Sequence, residues 1–452
     1  MQLTYKGGRF EFLAEWIRHR SLGVLAVYGL TIYVFALALQ SFVMGIDFRL
    51  MTGQLVHAGI EADPFYEMGA GLGFWAVIFF CLNFVLATRW RWVENIFGGL
   101  DKVYQLHGLA GKLGLIMVLA HMGILVVQAL PDTALIGTYL LPGLDLGYSL
   151  GVLGVLSMVL LVAATIWVRM PYGVWLNSHK WMIVPYLAGT SHAFVLQQDW
   201  YMLVLSIVGG YAWLYTTFLY RRFAPRAKGQ IEAFQFRNGI NDLHIRLETP
   251  FQAQPGQFIY LSVTGSQHIR PESHPFSISG YSMGGIRLSI KALGDYTRSL
   301  QALQLGDRVT VFGPYGRFGD RSLASTRFQV WLAGGIGVTP FLSLAQQAAQ
   351  AQRPIEGILI WSVRERSDAV FIEELHDWID ALPGMRLELH VSTETGYLTA
   401  DQLSAIVGED QLKAAEVFIC GPAMMMQTIT RQLVACGMRR SRIFTEDFNL
   451  KP

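Results

Sequence analysis

Apolar residues come first in long unbroken stretches and then, after Arg221, in short alternating ones. Six stretches ahead of Arg221 are long enough to cross a bilayer, roughly residues 22–44, 69–87, 104–130, 148–168, 179–196 and 200–220. Lipid offers the backbone no other hydrogen-bond partner, so the pattern predicts a six-helix transmembrane bundle over residues 21–222. Ahead of it, residues 10–20, within an amino-terminal segment 1–20, read as an interfacial amphipathic turn. From Gly229 onward the pattern shortens to alternating strands between glycine-containing turns, for example 243–247, 258–263, 286–290 and 308–312. These predict an antiparallel β-barrel over 227–322. Beyond about Ser322, apolar strands at 328–333, 355–361, 386–391 and 417–420 alternate with helical patterns. That alternation predicts an α/β domain with a parallel sheet of nucleotide-binding type over 323–452.

Composition agrees with a multidomain membrane protein. Charged residues make up 15% of the 452 and apolar residues 52%, low and high for a soluble enzyme. Aromatic residues, at 13%, suit a chain whose rings sit at membrane interfaces. The formal net charge of +2 gives no sign of a nucleic-acid partner. The partners implied are membrane lipid and small molecules. Cys81, Cys420 and Cys436 are too few and too scattered for a disulfide framework or a zinc site.

Basic residues fall on one side of the predicted spans: Arg18, Arg20, Arg89, Arg91, Lys102, Arg169, Lys180, Arg221, Arg222, Arg226 and Lys228. The other side holds Asp47, Arg49, Glu61, Asp63, Glu67, Asp132, Asp145 and Asp199. By the positive-inside rule both termini are cytoplasmic, in the cell (inner) membrane.

An ionisable residue inside a span is costly, so the histidines call for an explanation. Two of the six in the membrane half, His19 and His57, lie outside the spans. The other four are His107 and His121 in the third span, His179 and His192 in the fifth. These spans run parallel, so His107 and His179 share a cytoplasmic level and His121 and His192 an outer one. The levels lie about 20 Å apart at 1.5 Å per residue. Each offers two imidazoles from two helices, as bis-histidine haem iron requires. No CxxCH occurs, so such a haem is ligated and not covalently attached. Gly108, Gly111, Gly123 and Gly189 beside the ligands leave room for a flat macrocycle, although small residues also serve ordinary helix packing. For one histidine alone, a hydrogen-bonded polar residue at a helix junction is an equally good account; for two matched pairs it is not. Fourteen residues nearly return to one helical face and thirteen do not, so His179 and His192 predict a distorted fifth helix, with a kink at Pro185.

The cytoplasmic half carries three further motifs. His274-Pro275-Phe276-Ser277 follows a strand and a loop. Lys291 and Thr297 bracket the start of a helix, a cation, hydroxyl and helix terminus suited to a pyrophosphate. Gly334-Gly335-Ile336-Gly337-Val338-Thr339-Pro340 follows an apolar strand; its glycines permit close approach, Thr339 is placed to cap, and Pro340 fits a first helical turn. Singly each is weak, since a glycine-rich turn after a strand is commonly structural.

In this order the motifs resemble the ferredoxin-reductase-like flavoprotein fold, with HPFS as flavin motif and GGIGVTP as nicotinamide motif. Gly313-Pro314-Tyr315-Gly316, Cys420-Gly421-Pro422 and Glu446-Asp447-Phe448 match that pattern too. With the histidine-bearing helices, the chain from about Leu22 to Phe448 resembles the ferric reductase and NADPH oxidase superfamily in a compact, prokaryote-like form. The resemblance implies FAD, two haem b groups and NADPH, with NADH as the alternative. It makes His274, Pro275, Phe276 and Ser277 flavin contacts and sets Lys291 and Thr297 at its pyrophosphate. Gly335, Gly337, Thr339, Pro340, Gly421 and Pro422 fall at the dinucleotide. The resemblance makes Cys420, Glu446 and Phe448 the catalytic residues, Cys420 near the nicotinamide ring and Phe448 covering the flavin face until the nicotinamide displaces it. Bland rivals are a core aromatic for Phe448 and a buried strand residue for Cys420. Arg364 and Arg366, after the second strand of the last domain, favour a 2′-phosphate and hence NADPH, unless they are a solvated surface pair. The acceptor implied is oxygen or ferric iron; a partner protein and a haem-free anchor are the further alternatives. The oxidases tend to carry a second histidine one turn beyond the outer ligand, where this chain has Leu125.

Overall fold

The computed structural model describes residue 29 and residues 63–446, apart from 169 and 283. The predicted first span apart from residue 29, the segment 10–20, His57, Glu61, Asp447 and Phe448 lie outside the described residues. The chain parts into two compact units at Phe223 and Ala224.

In the first unit, helix α1 (Pro64–Leu86) begins where Asp63 Oδ1 accepts from the Phe65 N–H (2.9 Å), with Pro64 in the first turn. Asp63 is thus a cap, and Glu67 is a buried residue of the first turn. After α2 (Arg91–Phe97), Gly98 takes the left-handed conformation that ends a helix. Then come α3 (Leu100–Gln128), α4 (Thr133–Leu140) and α5 (Leu146–Trp167). Asp132 and Asp145 cap α4 and α5. Helix α8 (Trp200–Leu214) runs through a π-helical turn, Tyr215–Leu219, into Tyr220–Phe223. Among the described residues, four helices are long and apolar enough to cross a membrane: Pro64–Leu86, Leu100–Gln128, Leu146–Trp167 and Trp200–Phe223.

The predicted fifth span is two helices, α6 (Tyr172–Lys180) and α7 (Ile183–Gln197), and the break comes earlier than expected. Pro185 sits buried in the first turn of α7 and is not the kink itself. Its missing N–H and bulky ring disfavour a helical Trp181 carbonyl four residues before it. The chain answers with tighter turns there: Trp181 N–H bonds to Ser178 (3.0 Å), Met182 to His179 (3.1 Å) and Val184 to Trp181 (2.9 Å).

The second unit opens with a closed six-stranded antiparallel barrel, order β1-β2-β5-β4-β3-β6. Its strands are β1 (Arg226–Arg237), β2 (Ile240–Leu247), β3 (Phe258–Val263), β4 (His274–Ser282), β5 (Gly285–Lys291) and β6 (Arg308–Tyr315). Alternate residues such as Leu243, Ile245, Ile259, Leu261, Leu288 and Val311 fill it. A five-stranded parallel sheet follows, order β11-β10-β7-β8-β9, from β7 (Gln329–Gly334), β8 (Gly357–Val363), β9 (Met385–Val391), β10 (Glu416–Cys420) and β11 (Ile443–Glu446). Trp331, Leu359 and Trp361 join one core and Val330, Leu332, Ile358 and Ile360 another, so the sheet is buried on both faces. From β7 the chain builds outward first through β8 and β9 and later through β10 and β11. The strand order therefore reverses between β7 and β10, and a ligand crevice is expected beyond their carboxyl ends.

Candidate functional site

The four membrane histidines stand in two facing pairs. His107 on α3 and His179 near the end of α6 have ring centres 6.0 Å apart; His121 on α3 and His192 on α7 have theirs 6.3 Å apart. Three rings are oriented alike, with Nδ1 against a backbone carbonyl from outside their own helix: His107 on Asn83 (3.1 Å), His121 on Gly69 (2.7 Å), His192 on Gly147 (2.7 Å). A carbonyl only accepts, so Nδ1 carries the proton and Nε2 keeps its lone pair for a metal. His179 differs. Its ring stacks on Trp175 one turn earlier (5.3 Å, 16°), and its buried Nδ1 has no hydrogen-bond partner among the described residues. With the bond of about 2 Å that imidazole makes to metals such as zinc, two rings sharing one ion through Nε2 have centres roughly 6 Å apart. Both pairs fit an iron held between two imidazoles.

Glycines close the His121 and His192 rings from behind. A Cβ on Gly73 would lie 2.9 Å from His121 Nδ1, and one on Gly151 would lie 2.8 Å from His192 Nδ1. Each sits one turn after the glycine whose carbonyl holds that ring, as Gly69-x-x-x-Gly73 and Gly147-x-x-x-Gly151. That spacing is a known mark of close helix approach, but by itself it does not say which ring the glycine meets. The glycines singled out from the sequence behave otherwise: a Cβ at Gly108, Gly123 or Gly189 would meet nothing within 4 Å, while Gly111 packs on Asn83.

In the second unit His274, Pro275, Phe276 and Ser277 open β4, paired with Leu261, Tyr260, Ile259 and Phe258 of β3. The His274 ring stacks on Tyr296 (4.0 Å) and its Nε2 lies 2.9 Å from Glu272 Oε2. Phe276 is half-buried against the barrel core. Lys291 ends β5, and a five-residue helix, α9 (Asp295–Ser299), follows. The Thr297 hydroxyl accepts from Leu293 and Gly294 N–H (3.0 and 2.9 Å), so Thr297 shapes the turn after Lys291.

Gly334 ends β7, Gly335–Val338 make one 3-10 turn, and α10 (Thr339–Gln350) begins with Pro340 in its first turn. Thr339 does not cap. The 3-10 turn runs straight into the helix with no extended residue between, and the Thr339 hydroxyl donates to the Ile336 carbonyl (3.1 Å). Gly335 has φ of +53°, open to glycine at little cost. Gly337 is required by packing: a Cβ there would lie 2.3 Å from the Cys420 carbonyl oxygen. Cys420 is buried at the end of β10, in register with Ala333 of β7 and Glu446 of β11. Gly421 and Pro422 come next and crowd Gly334. Glu446, also buried, reaches the Gly316 turn of the barrel, where a Cβ would stand 3.1 Å from its Oε1. These residues gather at the strand reversal.

Arg364 directly follows β8. Arg366 makes a two-bond pair with Glu394 (2.9 Å each), which leaves Arg364 as the guanidinium with no carboxylate partner among the described residues. Beside it, His390 bonds the hydroxyls of Ser362 (3.2 Å) and Thr395 (3.0 Å), and burial pushes its pKa down.

Arg287 of β5 joins barrel and sheet domain. It donates to both Asp242 oxygens (2.8 Å each) and to both Glu374 oxygens (2.6 and 2.7 Å), Glu374 lying on α11 (Ile372–Asp380). No sequence pattern announces such a bridge.

Three family models match, in chain order. A ferric reductase like transmembrane component covers residues 72–190, an FAD-binding domain 238–318, and an oxidoreductase NAD-binding domain 331–431, together more than half of the chain. His192 lies just past the first. The ferredoxin reductase component of 3-ketosteroid-9-alpha-monooxygenase from Rhodococcus rhodochrous is 29% identical over 211 residues, 45% of this chain and 58% of that protein. Flavohemoprotein A from Dictyostelium discoideum is 29% identical over 209 residues, 43% of this chain and 52% of that protein. The chain thus spans little more than half the length of these curated relatives. Among solved structures, a flavohemoglobin from Malassezia yamatoensis is 20% identical with a TM-score of 0.48, covering 83% of this chain and 95% of that one. With a ferric reductase-like transmembrane component followed by FAD- and NAD-binding domains, the chain matches the architecture of the ferric reductase and NADPH oxidase superfamily.

Proposed function

We propose that the chain carries electrons from cytoplasmic NADPH, through FAD and two bis-histidine b-type haems, to an acceptor on the outer face, with oxygen reduced to superoxide as the first reading. The observation that carries it is the pair of facing imidazoles at each of two levels. His107 with His179 hold the inner haem and His121 with His192 the outer one, in a six-helix bundle. Bound flavin supplies the change from a two-electron hydride to single electrons, and bound haem carries single electrons across a hydrocarbon layer of about 30 Å.

The residues do the rest. The backbone carbonyls of Asn83, Gly69 and Gly147 fix the ring tautomers. Two histidines would hold each haem, and the bound group would pass electrons to the acceptor without binding it at the metal. Residues 274–277, with Lys291 and Thr297, hold FAD. Gly335, Gly337, Thr339, Pro340, Gly421 and Pro422 admit the dinucleotide, with Cys420 and Glu446 beside the nicotinamide and Phe448 over the flavin. Arg364 takes the 2′-phosphate.

A ferric reductase is the second reading. Leu125, in place of the oxidases' second outer histidine, packs on Gly69 behind the His121 hydrogen bond: a Cβ on Gly69 would lie 3.0 Å from Leu125 Cδ2. Electron supply to a partner protein is the third, as for the reductase component named above.

An absorption spectrum of the purified chain tests the haems. His179→Ala and His121→Ala should each remove about half the Soret band, one haem of two; a wild-type protein without that band sinks the reading. NADPH oxidation with and without oxygen, and with ferric chelates, separates the acceptors. Turnover lost without oxygen and not restored by iron excludes the ferric reductase.

A further inference from the structure

One end of β4 outruns its β3 neighbour in the closed barrel. Strand β3 pairs with β4 only as far as Phe258 and Ser277, and β4 then bulges between Ile278 and Gly280. Past the bulge, β4 is still paired on its β5 side but has lost its β3 neighbour. Tyr281, at this open edge, carries a backbone N–H and C=O that a further strand would have satisfied. A side chain takes its place. Gln346 Oε1 accepts from the Tyr281 N–H (2.8 Å), and Gln346 Nε2 donates to the Tyr281 carbonyl (2.9 Å). The carboxamide imitates one residue of a missing strand.

Gln346 lies on α10, the helix that the Gly334–Pro340 loop leads into. One turn earlier, buried Ser343 accepts from the Gly256 N–H (2.9 Å), just ahead of β3. One face of α10 is therefore bonded to the barrel at two points. Its amino-terminal end bears the nicotinamide loop, and the strand it grips begins with His274–Ser277.

We propose that Gln346 is a positioning residue for hydride transfer, its two-bond grip on Tyr281 setting the spacing between the flavin strand and the nicotinamide loop. This rests on the reading that FAD lies along β4 and the dinucleotide at the Gly334–Pro340 loop. Gln346 touches neither cofactor motif; it acts through β4 and α10. Misplacement of reacting groups by about 1 Å can cost about a hundredfold in rate.

The test uses the full chain in detergent, reduced anaerobically with NADPH in a stopped-flow instrument. The signal is flavin bleaching, as the dihydronicotinamide C–H bond breaks, its hydride (two electrons and a proton) passes to the flavin, and NADP+ departs. Gln346→Met removes both bonds at similar length. It should slow the limiting rate at least about tenfold, with FAD content and the NADPH concentration for half-maximal rate within twofold of wild type. Gln346→Glu supplies a readout that a merely structural role would not move. Protonated, its carboxyl both donates and accepts like the amide; ionised, it sets a negative oxygen against the Tyr281 carbonyl. Its rate, relative to wild type, should approach one at low pH and fall as pH rises. A pH-independent ratio for the Glu variant, or rates within twofold of wild type for both variants, overturns the proposal. Loss of FAD in step with rate also overturns it, since Gln346 would then serve binding. A wild-type chain that binds no FAD refutes the functional reading instead.

Discussion

Gly151 lies so close under His192 that a Cβ built on it would stand 2.8 Å from both Nδ1 and Cε1 of the ring. That ring is also tied to the Gly147 carbonyl, so it has no easy retreat. Gly151→Ala should push the imidazole off its bond and lower the haem-to-protein ratio by about half, one haem of the two proposed. Gly137→Ala on α4, where a Cβ meets nothing within 4 Å, is the control and should leave haem content unchanged. Haem extraction and the Soret absorbance read both.

Arg287 holds two carboxylates from two domains, with the Arg287 and Asp242 side chains 12% and 6% exposed. Burial alone would raise the Asp242 carboxyl, but the bonds and charge of Arg287, with the Ser289 hydroxyl, hold it below its ordinary value. A depressed carboxyl contributes stability that is full above the unfolded value of about 3.9 and is lost as pH falls through the folded value. Asp242→Asn should destabilise by about 3 kcal/mol at neutral pH, since it leaves a buried cation half-paired. The deficit should shrink below about pH 4. Thermal release of flavin, followed by fluorescence across pH, measures it; a deficit that grows on acidification contradicts the pairing.

Gly337 faces the Cys420 carbonyl with no room for a methyl group. Because the obstacle is backbone at the end of β10, the loop and not the strand must move. Gly337→Ala should abolish most NADPH-driven flavin reduction while chemical reduction by dithionite and FAD content stay normal. Equal losses of FAD and activity would mean that the fold, not the dinucleotide site, was damaged.

Of the two arginines after β8, Arg366 is committed to Glu394 and Arg364 is not. Arg364→Ala should raise the KM for NADPH by about tenfold, the loss of one charge-assisted contact of roughly 1.5 kcal/mol, and leave the KM for NADH unchanged. Steady-state kinetics with both donors decides it, and parallel changes for the two would remove Arg364 from the 2′-phosphate.

What could be read in the sequence was what short-range periodicity encodes. The apolar stretches at 104–130 and 148–168 appear as α3 and α5 within a few residues, and the alternating segments at 243–247 and 258–263 appear in β2 and β3. The crevice motifs were legible because glycine and proline mark backbone needs directly. Gly73 and Gly151 stayed hidden because a glycine in a membrane helix has several ordinary uses, and only the neighbouring helix reveals which one applies. Gln346 and Arg287 were hidden for a simpler reason. Their partners lie 65 and, for Glu374, 87 residues away in the chain, and no local pattern distinguishes a surface glutamine or arginine from one that joins two domains.

The interruption at Trp181 and Met182 gives the two histidine-bearing segments opposite expected tolerances to length change. Along α3 the fourteen residues from His107 to His121 form one unbroken ruler. Adding a residue there would swing the outer imidazole by about 100° and strand it away from its partner. The thirteen residues from His179 to His192 cross a joint that resets the helical phase, which is how a spacing wrong for a straight helix still delivers both rings. A single residue inserted between Trp181 and Met182 should leave the Soret band largely intact, whereas one inserted after Gly114 should lose the outer haem. A length change is therefore expected to be tolerated at the α6–α7 joint, while α3 is held to its count.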